Sequence, residues 1–168
     1  MKVETVPSGS ISLDLALAST LPETPEPVML SGLRVLFVDN HPINRQMMEE
    51  QFALHGIRAD SFSTAAAALG ALKSAAVAQD PYSIAVLDHQ MPDIDGETLG
   101  MIIKADPLCH ETLLILSSSL SHASDVQHYA RAGFSAFLSK PVPQHVLIDM
   151  LKALCAALKS GKAQPFLT

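Results

Sequence analysis

The chain contains no tryptophan, only two cysteines, and charged residues at just 17% of its 168 positions. Cys109 and Cys155 have no metal-ligand spacing, so neither a disulfide framework nor a zinc site has support, and a reducing cytosol is the simpler setting. No apolar stretch approaches the roughly 20 residues needed to cross a bilayer. Glu4 and Asp14 interrupt the N-terminus where a secretory signal needs an unbroken apolar core, so no membrane contact by this chain is expected. Runs of Lys or Arg are also missing. With a formal net charge of -6 and a pI near 5.5, nothing on the chain offers a stripe for tracking nucleic-acid phosphates, which excludes DNA and RNA as expected partners. No repeat of fixed period occurs, which excludes a solenoid.

What is present is apolar: 48% of residues are hydrophobic, which fits one compact domain with a tail better than two domains. Residues 1–32 stand apart, with an alternating run (Ile11, Leu13, Leu15, Leu17) predicting one strand and Pro22, Pro25 and Pro27 a linker. Residues 33–160 show short apolar runs alternating about five times with longer helical stretches. That alternation predicts an α/β fold, a doubly wound five-stranded parallel sheet with helices on both faces. Strands are expected at Arg34–Val38, Arg58–Ser63, Ile84–Leu87, Leu113–Leu116 and Ala136–Leu138. The intervening helices are expected at Asn44–His55, from Thr64 as N-cap to about Ala78, from Asp95-Gly96 towards Asp106, and from about Ser124 to Ala132. A last helix carries Leu147, Met150, Leu151, Leu154 and Leu158 on one face, and residues 161–168 form a tail.

The polar residues that follow these strands carry the chemistry. Asp39, Asp88, Lys140 and the pair Ser117/Ser118 all stand at carboxyl ends of strands, and in an open parallel sheet those ends share one edge where ligands bind. Crowded carboxylates repel unless a cation lies between them, and hard oxygen donors suit Mg2+. A carboxylate beside Mg2+ and an ammonium can attack phosphorus, because cations neutralise the equatorial oxygens of the transferring group. Asp88 is accordingly the expected nucleophile, with Lys140 and a serine hydroxyl on the phosphate. Taken singly, Asp88 reads as a turn residue, Asp39 as a helix cap and Lys140 as a solvated lysine; their joint placement points to a site. His89 beside the nucleophile is expected on the loop surface. His41, His55, His110, His122, His128 and His145 lack ligand spacing and are assigned no metal.

Three segments carry a resemblance: Val35 to Arg45 (VLFVDNHPINR), Val86 to Gly96 (VLDHQMPDIDG), and Ala132-Gly133 with Phe137 to Pro141 (FLSKP). Over roughly Leu33 to Leu158 the sequence resembles the receiver domain of two-component response regulators and hybrid sensor kinases. The resemblance implies a flavodoxin-like three-layer (βα)5 sandwich. It implies that Asp88 is the phosphoacceptor, that Asp39, Asp88 and the backbone carbonyl of Gln90 hold Mg2+, and that Lys140 pairs with the phosphoryl group. It makes Ser117 and Phe137 the switch residues and Lys140-Pro141 a cis peptide. Its partners would be a histidine kinase core or a histidine phosphotransfer domain, met through the first helix around Asn44 to Met48. The chain would be a phosphoacceptor that slowly removes its own phosphoryl group. Pro7-Ser8-Gly9-Ser10 and the strand after it resemble the end of a kinase ATP-binding domain. The implied parent is a hybrid histidine kinase, of a kind that can be membrane-anchored, with this part in the cytoplasm. Lys159 to Thr168 are too few for a DNA-binding module.

Two positions depart from that pattern. Asn40 stands where the family usually has a second acid, which weakens the expected hold on Mg2+. Strand geometry favours Ser117 as the switch hydroxyl, whereas counting back from Gly133 and Lys140 favours Ser118. Asn40 also motivates a second function class: a pseudo-receiver that acts as a protein-interaction module without phosphorylation. A flavin-binding or hydrolytic protein on the same fold is a third, though no phosphate-cradling glycine loop supports it.

Overall fold

The computed structural model describes residues 30–119, 125–162 and 166–168. The strand expected around Ile11 to Leu17, most of the linker and Ser124 lie outside the described residues.

Five strands, β1 (Arg34–Val38), β2 (Arg58–Phe62), β3 (Ile84–Asp88), β4 (Leu113–Ser118) and β5 (Ala136–Ser139), form one parallel sheet in the order β2-β1-β3-β4-β5. The helices α1 (Pro42–Leu54), α2 (Ala65–Val77), α3 (Gly96–Ala105), α4 (Asp125–Arg131) and α5 (Gln144–Ser160) alternate with them. Among the described residues, no helix is long and apolar enough to cross a membrane.

Local chemistry sets the helix starts. Thr64 accepts a hydrogen bond from the Ala67 N–H and Asp95 from the Thr98 N–H, each satisfying an orphan donor of a first turn. α1 begins at Pro42 rather than Asn44, because proline's fixed φ suits the first helical position and needs no N–H there. β4 runs through Ser117 and Ser118 instead of stopping at Leu116. The ladder continues, pairing Asp88 with Ser117 and Ser118 with Ser139.

Strand alternation divides the core into two layers. Leu36, Val38, Ala85, Leu87, Leu114 and Leu116 face α2, α3 and Tyr129 of α4. Val35, Phe37, Ile84, Val86, Ile115 and Leu138 face Phe52 of α1 and the apolar stripe of α5. At the amino end of the sheet, Arg34 lies 4.2 Å over the Tyr82 ring and pairs with Asp60 and Asp80. Burial, with a hydrogen bond to Asp60, pushes the Tyr82 hydroxyl up to about 12.

The β5 edge is covered by the chain itself. Leu167 bridges Ala136 in parallel; the Phe137 N–H donates to the Leu167 carbonyl (2.9 Å) and the Leu167 N–H to the Ser135 carbonyl (3.1 Å). Phe166 packs on one core layer and Leu167 on the other. An uncovered parallel edge is a template for pairing with another chain. Ending the chain after Lys162 is therefore expected to lower stability by about 2 kcal/mol in urea unfolding and to produce concentration-dependent association in sedimentation velocity.

Candidate phosphoacceptor site

The alternation that sorts the core also aims the site. Asp39 continues the face of Val35 and Phe37, Asp88 that of Ile84 and Val86, Ser117 that of Ile115, and Lys140 that of Ala136 and Leu138. All four side chains therefore emerge on the α1/α5 side of one sheet edge. Ser118 continues Leu114 and Leu116 towards the other layer, as Phe137 does. The register sets Ser117, not Ser118, opposite Asp88 and on its face.

Two carboxylates are buried here, Asp39 at 1% and Asp88 at 2% exposure. The Lys140 ammonium lies 2.9 Å from Asp88 Oδ1 and 3.3 Å from Asp39 Oδ2, holding both. Asp39 is held further by the His41 N–H at 2.7 Å and the Asn44 side-chain amide at 3.0 Å, while Arg45 donates to its carbonyl at 2.7 Å. Burial alone would raise the Asp39 carboxyl. The His41 and Asn44 hydrogen bonds and the Lys140 charge outweigh it and hold the group below its ordinary 3.8.

The loop after Asp88 is pinned at several points. The Gln90 N–H reaches Asp88 Oδ1 at 3.3 Å, and Gly96 donates to the His89 carbonyl at 3.1 Å. A Cβ at Gly96 would collide with the Asp88 carbonyl oxygen, so only glycine lets α3 start this close to the Asp88 backbone. Asp93 accepts the Ala65 N–H at 2.9 Å, stapling the loop to the start of α2. His89 does not lie on the loop surface as expected. It is half-buried, its ring meets Tyr129 edge-on at 6.4 Å, and its Nδ1 has no hydrogen-bond partner among the described residues. Phe137 is buried and stacks on Tyr129, with centroids 5.6 Å apart and planes within 3°. The Lys140-Pro141 peptide is cis.

The donor set fits a divalent cation. One ligand atom each of Asp39, Asp88 and His41 lie within 4.8 Å of one another. The buried Oδ1 of Asn40, next in the chain to Asp39, accepts no hydrogen bond among the described residues. Sequence spacing brought out the two aspartates and passed over His41. The signal was its place two residues after Asp39, at the N-cap of α1. Asp93 and Tyr129 were missed as well, because their roles are long-range contacts.

Because the fold favours the ionised form of Asp39, this group's stabilisation is present above its ordinary pKa and lost as pH falls through the lower folded value. Lys140→Met removes both the charge and the hydrogen bond by which Lys140 helps hold that value down. Its acid unfolding limb, followed in urea from about pH 6 to about pH 3, should begin at higher pH than in the wild type.

Comparison with known proteins agrees with this geometry. The family model described as "Response regulator receiver domain" matches residues 35–152. The chain is 30% identical over 156 residues to the sensor histidine kinase RcsC of Salmonella typhimurium, covering 92% of this chain and 16% of that protein. It is 28% identical over 143 residues to the sensor protein TorS of Escherichia coli K12, covering 84% of this chain and 15% of that protein. The chain thus spans about a sixth of the length of these relatives. Among solved structures, a CheY-like receiver domain protein from Methanospirillum hungatei superposes with a TM-score of 0.66 at 20% identity, covering 77% of this chain and 98% of that one. A sensor protein from Polaromonas gives a TM-score of 0.66 at 22% identity, covering 76% and 98%. With the five-stranded sheet, the buried aspartates bridged by a lysine, and a family match over most of its length, the chain belongs to the response regulator receiver domain family.

Proposed function

We propose that Asp88 accepts a phosphoryl group from a partner's phosphohistidine and that the resulting acyl phosphate changes the protein's contacts. The observation that carries this reading is the buried Asp88 carboxylate at a sheet edge with Lys140 2.9 Å away and Asp39 alongside. In the transfer, an Asp88 oxygen bonds to phosphorus as the phosphorus–nitrogen bond breaks, and that electron pair returns to the donor imidazole. Lys140 turns from the two carboxylates to the phosphoryl oxygens, and the Ser117 hydroxyl donates to another. Asp39, Asp88 and the Gln90 carbonyl would hold a divalent cation, Mg2+ in the reading the resemblance implies, which would supply further neutralisation of the phosphoryl charge.

The partner surface in this reading is α1. Ile43 and Met47 are exposed apolar residues next to the site, and a cavity of about 410 Å³ beside them is lined by Met47, Met48, Gln51, Val142 and Gln144. Such a patch suits the helical face of a kinase core or a histidine phosphotransfer domain. On this reading the chain is one segment of a hybrid sensor kinase, as its two quoted relatives are sensor proteins of far greater length.

Intact mass spectrometry with a small phosphodonor tests the chemistry. The wild type should gain about 80 Da, the mass of a phosphoryl group, and Asp88→Asn should gain nothing. Lys140→Met should slow the gain about 10- to 100-fold, a barrier increase of about 1.4–2.7 kcal/mol. No adduct at any cation concentration would favour the phosphorylation-independent interaction module that Asn40 suggests. Phosphorylation should also alter amide exchange around Ser117 and Phe137, the expected switch pair; unchanged exchange there would overturn the switching half of the proposal.

A further inference from the structure

We infer that the cation site of this chain is a mixed oxygen–nitrogen site, in which the His41 imidazole joins Asp39 and Asp88 and selects a first-row transition ion such as Co2+ or Mn2+ over Mg2+. The inference rests on the phosphoacceptor reading only for the site's use; its geometry stands apart. His41 Nδ1 lies 3.2 Å from Asp39 Oδ1, and a ligand atom of Asp88 is within 4.8 Å of both residues' ligand atoms. Adjacent ligands of an octahedral ion with bonds of about 2.1 Å stand about 3.0 Å apart, so the imidazole and the Asp39 carboxylate already have nearly that separation.

The backbone holds His41 there. It is the N-cap of α1, extended at φ -88° and ψ 118°, followed directly by Pro42, and its own N–H is tied to Asp39. Its ring makes no capping hydrogen bond and is 64% exposed, so it is available as a donor without first leaving a packed position. Asn40, its neighbour in the chain, adds an independent observation: it stands in the place of an acid and keeps a buried oxygen that accepts no hydrogen bond among the described residues.

Ligand chemistry then gives the selectivity. Mg2+ takes hard, charged oxygens and gains little from imidazole. This site has exchanged an acid for an amide, and Lys140 offsets part of the remaining negative charge. A hard ion loses most from both changes. Imidazole nitrogen adds affinity that grows along the first-row series from Mn2+ to Co2+ and Ni2+, so His41 restores for those ions what Asn40 takes from Mg2+.

The test uses the full chain and Mg2+, Mn2+ or Co2+ alone as the probe. Affinities come from equilibrium titration, and the pulsed electron paramagnetic resonance spectrum of bound Mn2+ reports any directly bound nitrogen. The wild type should show nitrogen coupling and bind Mn2+ and Co2+ at least about tenfold more tightly than Mg2+. His41→Ala and His41→Gln should lose the coupling and about tenfold in Mn2+ affinity, with Mg2+ affinity within about twofold. Asp39→Asn should also lose it, since the imidazole acts with the carboxylate. Coupling that persists in His41→Ala, an equal loss for Mg2+ and Mn2+, or coupling unaffected by Asp39→Asn would each overturn the assignment. If selectivity ignores His41 while Asp88 still gains its phosphoryl group, the imidazole assignment alone fails. If selectivity follows His41 and no adduct forms with any ion, the phosphoacceptor reading fails instead.

Discussion

The Lys140 ammonium between Asp39 and Asp88 is the interaction on which the rest depends. Two buried carboxylates at one sheet edge repel each other strongly, and each costs several kcal/mol to desolvate unless compensated. A lysine from the far end of β5 resolves that conflict, with hydrogen bonds from His41 and Asn44 completing the shell of Asp39. The compensation is reversible by design of the chemistry: a lysine can move to another anion or give way to a cation. A site built this way stays folded yet remains ready to bind a third charged group.

The two core layers explain how such a local event can be felt elsewhere. Asp88 and Ser117 lie on the α1/α5 face, whereas Phe137 lies on the opposite face, stacked on Tyr129, which also meets His89. β5 carries both sides within four residues: Phe137 to one layer, Lys140 at the other. Phe137 thus joins the end of β5 to α4 directly through its stack on Tyr129.

Much of this was legible in the sequence, for reasons of period and punctuation. Short apolar runs ending in Asp39, Asp88 and Lys140 placed the strands and their polar exits, and the five-stranded parallel sheet follows that alternation. Boundaries shifted where ladder pairing overrode composition, as at Ser117 and Ser118, or where a proline could open a helix, as at Pro42. Counting back from Gly133 and Lys140 favours Ser118, whereas the register sets Ser117 opposite Asp88 on the same face, since one residue of slip reverses the face. His41 was assigned no metal because ligand spacing was sought among histidines; its nearness to Asp39 and Asp88 is visible only in the structure. Asp93 and the edge pairing of Leu167 depend on contacts across 28 residues or more, which local pattern does not encode.

The ion pair of Asp39 and Lys140 spans 101 positions of the chain. During synthesis, β1, β3 and their helices emerge long before β5, so a partly made chain has both carboxylates but no ammonium between them. Such a chain carries two mutually repelling charges it cannot bury well. The charge balance of the site thereby acts as a proof of completeness: a chain cut short of β5 lacks the ammonium that compensates both carboxylates.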